Sequence, residues 1–453
     1  MNRRWLFGIV AFALALGAVL FLRARLPRLV ETAPADGERL VAPERPLTLT
    51  FSEPMNPQSV AEHLEFQPPL AGEISGEAET LTFTPDSAWP RGTWITVTLK
   101  SGAQSELGLP LLGETSWAFE TSPPLLVYLW PADGPADLYT VDLLDGVILR
   151  LTETGRGVLN YDVSDDGRWI YFSTRLDPPD SAIFRLDRSD GSLRRILTCK
   201  NTLCNSPQIS PAGDALAYSV SPADPESVPF PWQIWVLPVV ESKPAPPENA
   251  ALVSDPAHQS EQPHWSPTGL LTFYDKTAQH FTVLDREAGT RAFFHNETGE
   301  PGTWSPDGRH YVVNEITFWG SGAMDYTSHL WRFDYPEAAG SDLSLDRTLE
   351  DATPVYAPDG AHIAFGRKHL DPEHWIPGRQ LWLMTPDGAA RQLTDAPDYN
   401  HLDFAWHPEG GYIAYVRYNQ SEQTDPPELW IIRPDGSDAV RLVINAYAPQ
   451  WLP

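Results

Sequence analysis

Cysteine is almost missing from this sequence: two residues in 453. A disulfide framework is therefore excluded, and packing must hold the core. Basic residues are also scarce, with 32 Lys and Arg against 60 Asp and Glu and a net charge of −28. Nucleic acid as a main partner is excluded by that balance, because phosphate binding needs clustered cations. Several catalytic signatures are absent. There is no Gly-x-Ser-x-Gly elbow in an α/β context, no His-Glu-x-x-His zinc word, no phosphate-binding or dinucleotide glycine pattern, and no EF-hand spacing. What is abundant points elsewhere. Hydrophobic content of 42% supports a large core, while 45 Pro exclude a mostly helical chain. Proline with 17 Trp and 15 Tyr indicates many short strands joined by turns. The expected fold class is all-β.

One long uncharged run exists, at residues 5–22, between Arg3 and Arg4 on one side and Arg23, Arg25 and Arg28 on the other. Its 18 residues span roughly 27 Å as a helix, enough for a bilayer core. Residues 1–30 are expected to be a signal anchor with a transmembrane helix at about 5–22. A cleaved signal peptide and a buried core helix are the alternatives; no small-x-small cleavage site is evident. The flanking arginines nearly balance and leave orientation open. The remaining residues carry 27 basic against 60 acidic side chains, a net −33.

Residues 31–122 alternate in period two. Leu47-Thr48-Leu49-Thr50-Phe51, Thr80-Leu81-Thr82-Phe83-Thr84, Thr93-Trp94-Ile95-Thr96-Val97-Thr98-Leu99 and Ser116-Trp117-Ala118-Phe119-Glu120 each put apolar residues on one face. Pro34-Ala35-Asp36-Gly37, Pro68-Pro69 and Arg91-Gly92 separate such runs. This spacing predicts an Ig-like β-sandwich. The words Pro34-Ala35-Asp36-Gly37, Leu49-Thr50-Phe51-Ser52-Glu53-Pro54-Met55-Asn56-Pro57, Leu81-Thr82-Phe83-Thr84-Pro85 and Phe119-Glu120-Thr121 resemble the bacterial Ig-like domain family of cell-surface proteins. The resemblance implies a spacer or adhesion module. Gln104-Ser105-Glu106-Leu107-Gly108 stands where an Asp-rich turn is common, so no ion site is carried over.

Residues 123–453 repeat. The first word is Val163-Ser164-Asp165-Asp166-Gly167, Ile209-Ser210-Pro211-Ala212-Gly213, Trp265-Ser266-Pro267-Thr268-Gly269, Trp304-Ser305-Pro306-Asp307-Gly308, Tyr356-Ala357-Pro358-Asp359-Gly360 and Trp406-His407-Pro408-Glu409-Gly410. The period is roughly 40–55 residues, that of four-stranded propeller blades. A second word follows each first, as in Leu381-Trp382-Leu383-Met384-Thr385-Pro386-Asp387-Gly388 and Leu429-Trp430-Ile431-Ile432-Arg433-Pro434-Asp435-Gly436. Three early strands, at 125–130, 138–143 and 147–152, lack an opening word, and 446–453 supplies the missing strand. Six internal repeats plus this shared blade predict a seven-bladed β-propeller closed by the C-terminal strand. The array resembles the TolB-type, WD-like propeller repeats of bacterial envelope proteins. It departs at Asp165, at His407 and in a Pro-rich stretch at 242–248. The resemblance implies an extracytoplasmic binding or interaction domain.

Cys199 and Cys204, five apart in a loop, are a disulfide candidate consistent with export; two free thiols and a poor metal site are the alternatives. Long loops between second and third strands are expected at 221–231, 317–328, 367–380 and 418–428, on the face that also carries the connections between blades. They and their flanks place Trp232, Trp319, Tyr326, His374 and Trp375 beside Asp224, Glu226, Asp325, Asp371, Glu373, Glu422 and Asp425. Aromatics beside carboxylates suit a peptide, sugar or cation at the propeller mouth, or else form solvated insertions with rings packed on the rim. Asn160, Asn205, Gln262, His264, Asp351, His401 and Asp403 precede the Ser words and are candidates to line the channel, or merely to fill it.

The leading expectation is a membrane-anchored, extracytoplasmic binding or scaffold protein. Its partner would be an envelope protein, peptide or glycan, with no nucleic acid and no required cofactor. The alternative enzyme resembles oligogalacturonate lyases, which use His and Gln around a metal; His264, His401, His407 and Gln262 would be its ligands here. A Ca²⁺-stabilised surface module is the third reading.

Overall fold

The period-two segments become strands. The computed structural model describes residues 26–453 apart from 40, 44, 123, 224–230, 241–242 and 321–324. The expected anchor at 5–22 lies outside the described residues. Among those described, no helix is long and apolar enough to cross a membrane. The chain divides into two compact units, Met1–Pro124 and Leu125–Pro453.

In the first unit, Leu29–Ala33, Leu47–Phe51, Thr80–Pro85 and Gly72–Glu77 form one sheet in that order; Leu64–Gln67, Trp94–Leu99 and Thr115–Glu120 form another. Alternation sends Leu47, Leu49, Phe51, Leu81 and Phe83 from the first sheet, and Ile95, Val97, Leu99 and Phe119 from the second, into one core. Trp89 sits within it, edge-on to Phe119 at 5.5 Å, and its indole donates to the Arg45 carbonyl at 2.8 Å. The short helix Pro57–His63 was not expected from the alternation. Asn56 caps it by accepting from the Ser59 amide at 3.0 Å, and Pro57 pre-sets its first turn.

In the second unit, six repeat sheets and one closing sheet succeed one another among the described residues. The first sheet comprises Val158–Val163, Trp169–Arg175, Ser181–Asp187 and Leu193–Cys199. The third comprises Ser260–Trp265, Leu271–Asp275, His280–Asp285 and Thr290–His295. The fifth and sixth begin at Leu349–Tyr356 and Tyr399–Trp406. Two sheets depart from the pattern. In the second, Thr202–Ile209, Ala215–Pro222 and Gln233–Val240 are followed only by Lys243–Pro244 and Ala251–Leu252, because prolines at 244, 246 and 247 cannot donate to a ladder. The fourth opens with a two-residue strand, Thr303–Trp304. Its next two strands, His310–Phe318 and Tyr326–Asp334, pair out to Phe318 and Tyr326, so the loop expected at 317–328 shrinks to 319–325. The closing sheet runs Ile148–Arg150, Asp137–Asp142, Leu125–Trp130, Tyr447–Trp451, with Trp451 opposite Leu126.

The Ser word is a turn built by its own side chains. Ser305 donates to Asp307 at 2.6 Å and accepts the His310 amide at 3.0 Å, while Gly308 takes the positive φ of 68° that the turn requires. The aromatic residue before the Ser position joins neighbouring sheets. The Trp265 indole donates to the Gln208 carbonyl at 3.0 Å, Trp406 to the Val355 carbonyl at 3.1 Å and Trp451 to the Ala405 carbonyl at 2.9 Å. Trp304 does the same to the Thr272 hydroxyl at 3.0 Å. Each bond runs from one innermost strand back to the preceding sheet.

Trp406→Phe keeps most of the ring and removes the donor to Val355. The propeller's urea midpoint should fall by the equivalent of about 1–3 kcal/mol, the cost of a lost buried hydrogen bond. Trp375→Phe, at an exposed position, should shift it by less than about 0.5 kcal/mol.

Candidate functional site

The two ends of the propeller sheets differ in kind. Ser words and Pro-Asp-Gly turns occupy one end. Loops between second and third strands, and connections between sheets, occupy the other. Midway along, the innermost strands share a device that alternation alone does not show. Ser206, Gln262, Thr353, Asp403 and Ala448 all have positive φ, between 48° and 58°. Each sits where the register with the second strand breaks. These are β-bulges, which reverse the side on which later residues project. Their sequence signal is the proline after the bulged residue in Ser206-Pro207, Gln262-Pro263, Thr353-Pro354 and Ala448-Pro449, since proline is tolerated at a bulge.

The channel candidates meet different fates. Asn205 accepts from Ser173 of the first sheet at 2.7 Å and so bridges two sheets; Asn160 sits opposite Ser173 on the first sheet's innermost strand. Gln262 occupies a bulge, and its Oε1 is buried without a hydrogen-bond partner. His264 stacks on Tyr311 at 5.5 Å, with Nδ1 3.3 Å from the Gln262 carbonyl. Burial pushes its imidazole down to about 4. His401 is likewise driven down to about 4 by burial; its Nδ1 donates to the Arg379 carbonyl at 2.8 Å. The Nε2 atoms of both histidines have no partner. Asp403 is pushed up by burial, and the Ala448 amide approaches its Oδ2 at 3.4 Å.

Asp351 is not a channel residue. It is 0% exposed and forms a two-pronged pair with Arg367 at 2.6 and 2.7 Å inside its own sheet, with Ser344 donating to the same carboxylate. It precedes the bulge at Thr353, so counting back in twos from the Ser word puts it on the wrong side. His407 fills the turn as Ser does elsewhere: its Nδ1 accepts the Glu409 amide at 3.2 Å, and its ring lies 4.7 Å from Trp451. Among the described residues no three His, Cys, Asp or Glu converge as metal ligands.

The mouth candidates divide into two places. Trp232 belongs to the second sheet's loop, where its carbonyl accepts the Ser260 amide at 2.7 Å; Asp224 and Glu226 lie outside the described residues. In the sixth sheet's loop, Asn419 donates to Asp425 at 2.9 Å, and the Glu422 amide donates to Asn419. The others gather around the connection between the fourth and fifth sheets. Asp325 lies 3.4 Å from Arg347 of that connection. The Leu370 amide donates to the Thr348 carbonyl at 2.7 Å, which ties the loop carrying Asp371, Glu373, His374 and Trp375 to it. Asp371 accepts from His374 at 2.7 Å, and this contact holds its carboxyl below the usual range. Tyr326 and Trp375 are exposed. Trp319 is half-buried, donating to Thr327 at 2.7 Å with its ring 5.2 Å from His329.

Sequence reasoning missed two residues here. Phe318, exposed at the strand end, lies 6.1 Å from the Tyr326 ring. Leu345 is 75% exposed at φ 56°. Asp342 holds it there, accepting the Ser344 and Leu345 amides at 2.8 and 3.1 Å. Burial pushes the Asp342 carboxyl up, but His329 and these amides outweigh that and hold it below its ordinary value. His329 is fully buried, bonded to Asp342 at 2.8 Å and to the Asp346 carbonyl at 3.0 Å. An Asp three residues before a Leu is too common a spacing to have signalled this turn. Cys199 and Cys204 form a disulfide, Cα to Cα 6.0 Å, between the first and second sheets.

The bacterial Ig-like domain family matches residues 24–121. Among curated proteins, none matches this sequence. A prolyl endopeptidase structure is similar with a TM-score of 0.51 at 12% identity, covering 79% of this chain and 49% of that one. This chain thus spans about half of that enzyme, and the likeness shows the propeller fold alone. TolB from Acinetobacter baumannii is similar at TM-score 0.44 and 12% identity, over 86% of this chain and 83% of that one. Oligogalacturonate lyase from Vibrio parahaemolyticus is similar at TM-score 0.41 and 16% identity, over 64% and 74%. At those two scores no inference about chemistry or partner is carried.

One further carboxylate lines the innermost strands. Asp162 accepts the Ile209 amide of the next sheet at 2.8 Å, and burial pushes it from 3.8 up to about 7. The folded protein therefore holds a proton that the unfolded chain releases near 3.8. Stability falls as pH rises from there to about 7 and is level above. Asp162→Asn keeps an acceptor and removes the titration. Its propeller melting temperature should exceed that of the parent at pH 8 by several degrees, with the gap gone at pH 4. A gap of equal size at both values would place the effect in packing.

Proposed function

We propose that this chain is an exported binding or scaffold protein of the bacterial envelope. Residues 5–22 anchor it in the membrane, the Ig-like domain acts as a spacer, and the repeat and closing sheets form a seven-bladed head. The disulfide supports an oxidising compartment, and hence export. The partner is a protein or peptide that docks on the connection between the fourth and fifth sheets.

One observation carries this reading. Phe318, Tyr326, Leu345 and Trp375 stand exposed on elements tied to a buried network of His329, Asp342, Ser344, Asp351 and Arg367. Exposed apolar side chains on rigid supports have little ordering entropy left to lose, which favours association. The lyase-like reading gains no support, because Gln262 and His264 lie together on the third sheet while His401 and His407 belong to the sixth, with other partners.

A photo-crosslinking residue at position 345 should capture a discrete partner in cells, and one at position 359, on a Ser-word turn, should not. Trp375→Ala should weaken the captured complex roughly thirty-fold, the scale of an interface hot spot of about 2 kcal/mol. Equal capture from both positions would refute the surface. Fractionation checks the anchor: the intact chain should stay in membranes with its propeller open to external protease. A shortened soluble form would mean that residues 5–22 are a cleaved signal.

A further inference from the structure

Between the Ser words of the first and second repeat sheets lies a cavity of about 360 Å³. Its size is that of ordinary ligand pockets. Both words depart from the other repeats in where they carry acid. In five repeats a proline follows the first position: Pro211, Pro267, Pro306, Pro358 and Pro408. The first sheet has Asp165 there. The turn does not need it. Asp166 accepts from Ser164 at 2.6 Å and from the Arg168 amide at 3.0 Å, as Asp307 does from Ser305 and the Arg309 amide in the fourth sheet. In the second sheet Ala212 stands at the place of Asp166, and the acid comes two residues later: Asp214 accepts from Ser210 at 2.6 Å. Asp165 and Asp214 line the same cavity, one from each sheet.

Among the described residues Asp165 accepts no hydrogen bond, and neither it nor Asp214 has an ion pair. Partial burial first, and the like charge of Asp166 second, push the Asp165 carboxyl above its ordinary value. Three arginines reach this turn or the Trp169 beside it. Arg168 pairs with Asp187 at 3.0 Å, and the two cancel. Arg188 donates to the Gly167 carbonyl, and the charge that acts on it is Asp166. Arg185 lies over the Trp169 ring at 3.7 Å. With Arg185 counted in full, Asp165 and Asp214 still leave one negative charge over. Asp162, bonded to the Ile209 amide, can only add to the negative side. The rest of the wall includes Tyr171, Ile209 and Val239. One excess negative charge beside an apolar wall selects a single cation carried on an alkyl stem.

We infer that this cavity binds a primary alkylammonium group, with the ammonium held by Asp165 and Asp214 and its methylene stem along Tyr171, Ile209 and Val239. An ammonium has three donors; Asp165 offers both its oxygens and Asp214 the one that Ser210 leaves open. The group has two sources, a lysine side chain of another protein or a free diamine. Proline would suit position 165 better than aspartate does, because the Asp165 amide makes no backbone bond among the described residues and proline restricts the unfolded chain. The acid is therefore a cost to the fold, and a bound cation offsets it. This cavity lies at the Ser-word end of the sheets, away from the surface around Leu345, so either can fail without the other.

The test is ligand-observed NMR titration of the purified full-length protein with Nα-acetyl-lysine methylamide, its Nε-acetylated form and cadaverine. The lysine derivative and cadaverine should bind, and the Nε-acetylated form at least tenfold more weakly. Tighter binding of the lysine derivative assigns the group to a protein side chain, and tighter binding of cadaverine to a free diamine; either supports the site. Asp165→Pro, which restores the word of the other repeats, should weaken binding at least tenfold with an equal or higher melting temperature. Asp165→Asn, which keeps the shape, should weaken it at least fivefold. Asp359→Asn, on the turn of the fifth sheet, should leave it unchanged. Equal binding of the charged and Nε-acetylated forms would overturn the proposal. Equal losses in Asp165→Asn and Asp359→Asn would do so too, since they would signify diffuse charge attraction. Displacement of the amine by equimolar Ca²⁺ would assign the carboxylates to a metal instead. No binding by any probe would refute the site.

Discussion

The bond from an indole N–H to a carbonyl of the preceding sheet is the constraint on which the propeller depends. A propeller sheet buries both faces, and its innermost strand is the narrowest place to do so. Trp265, Trp406 and Trp451 solve two problems there at once. The ring supplies apolar area between sheets, and the N–H satisfies an acceptor that packing would otherwise strand. Because Trp451 lies on the last strand and reaches Ala405 of the sixth sheet, the same contact also seats the closing sheet. The bulges belong to this arrangement. They break the ladder immediately before Gln208 and Ala405, the residues at which the indoles arrive.

Much of the fold was readable from the chain. The Ser words mark the first turn of each repeat, the aromatic residue before them marks the sheet-to-sheet contact, and the orphan strand at 447–451 announced the closing sheet. The short helix after Asn56 was not readable, since seven residues leave too little periodicity to stand out from strand alternation. The candidate site was less readable than the fold, for a specific reason. Side-chain direction in a strand has period two only while the ladder is regular. Asp351 lies before the bulge at Thr353, so its place ahead of the Ser word could not show which way its side chain projects, and it is a buried ion-pair member. Leu345 was invisible because nothing in an isolated leucine shows that Asp342 will lock it outward.

The buried polar groups sort into two kinds. His329, Asp342, Ser344, Asp351 and Arg367 satisfy one another and stiffen the surface above them. Such a network costs desolvation, and it is tolerated because its members meet one another's hydrogen-bonding needs. Gln262, His264 and His401 retain unpartnered atoms near the innermost strands, and burial keeps the two histidines neutral. The first kind shapes a docking surface. The second leaves polar, uncharged atoms buried beside the innermost strands.

The closing sheet has a consequence for how the chain comes into being. Ala132 bonds to Asn445, 313 residues away, and the strand Leu125–Trp130 gains its inner partner only when Tyr447–Trp451 arrives. Until then, during synthesis or passage across a membrane, the segment Leu-Leu-Val-Tyr-Leu-Trp is a bare apolar edge, the kind of sequence that pairs with other unfinished chains. The first propeller strand made is thus among the last to be covered, and a holding chaperone would find its longest-lived target there.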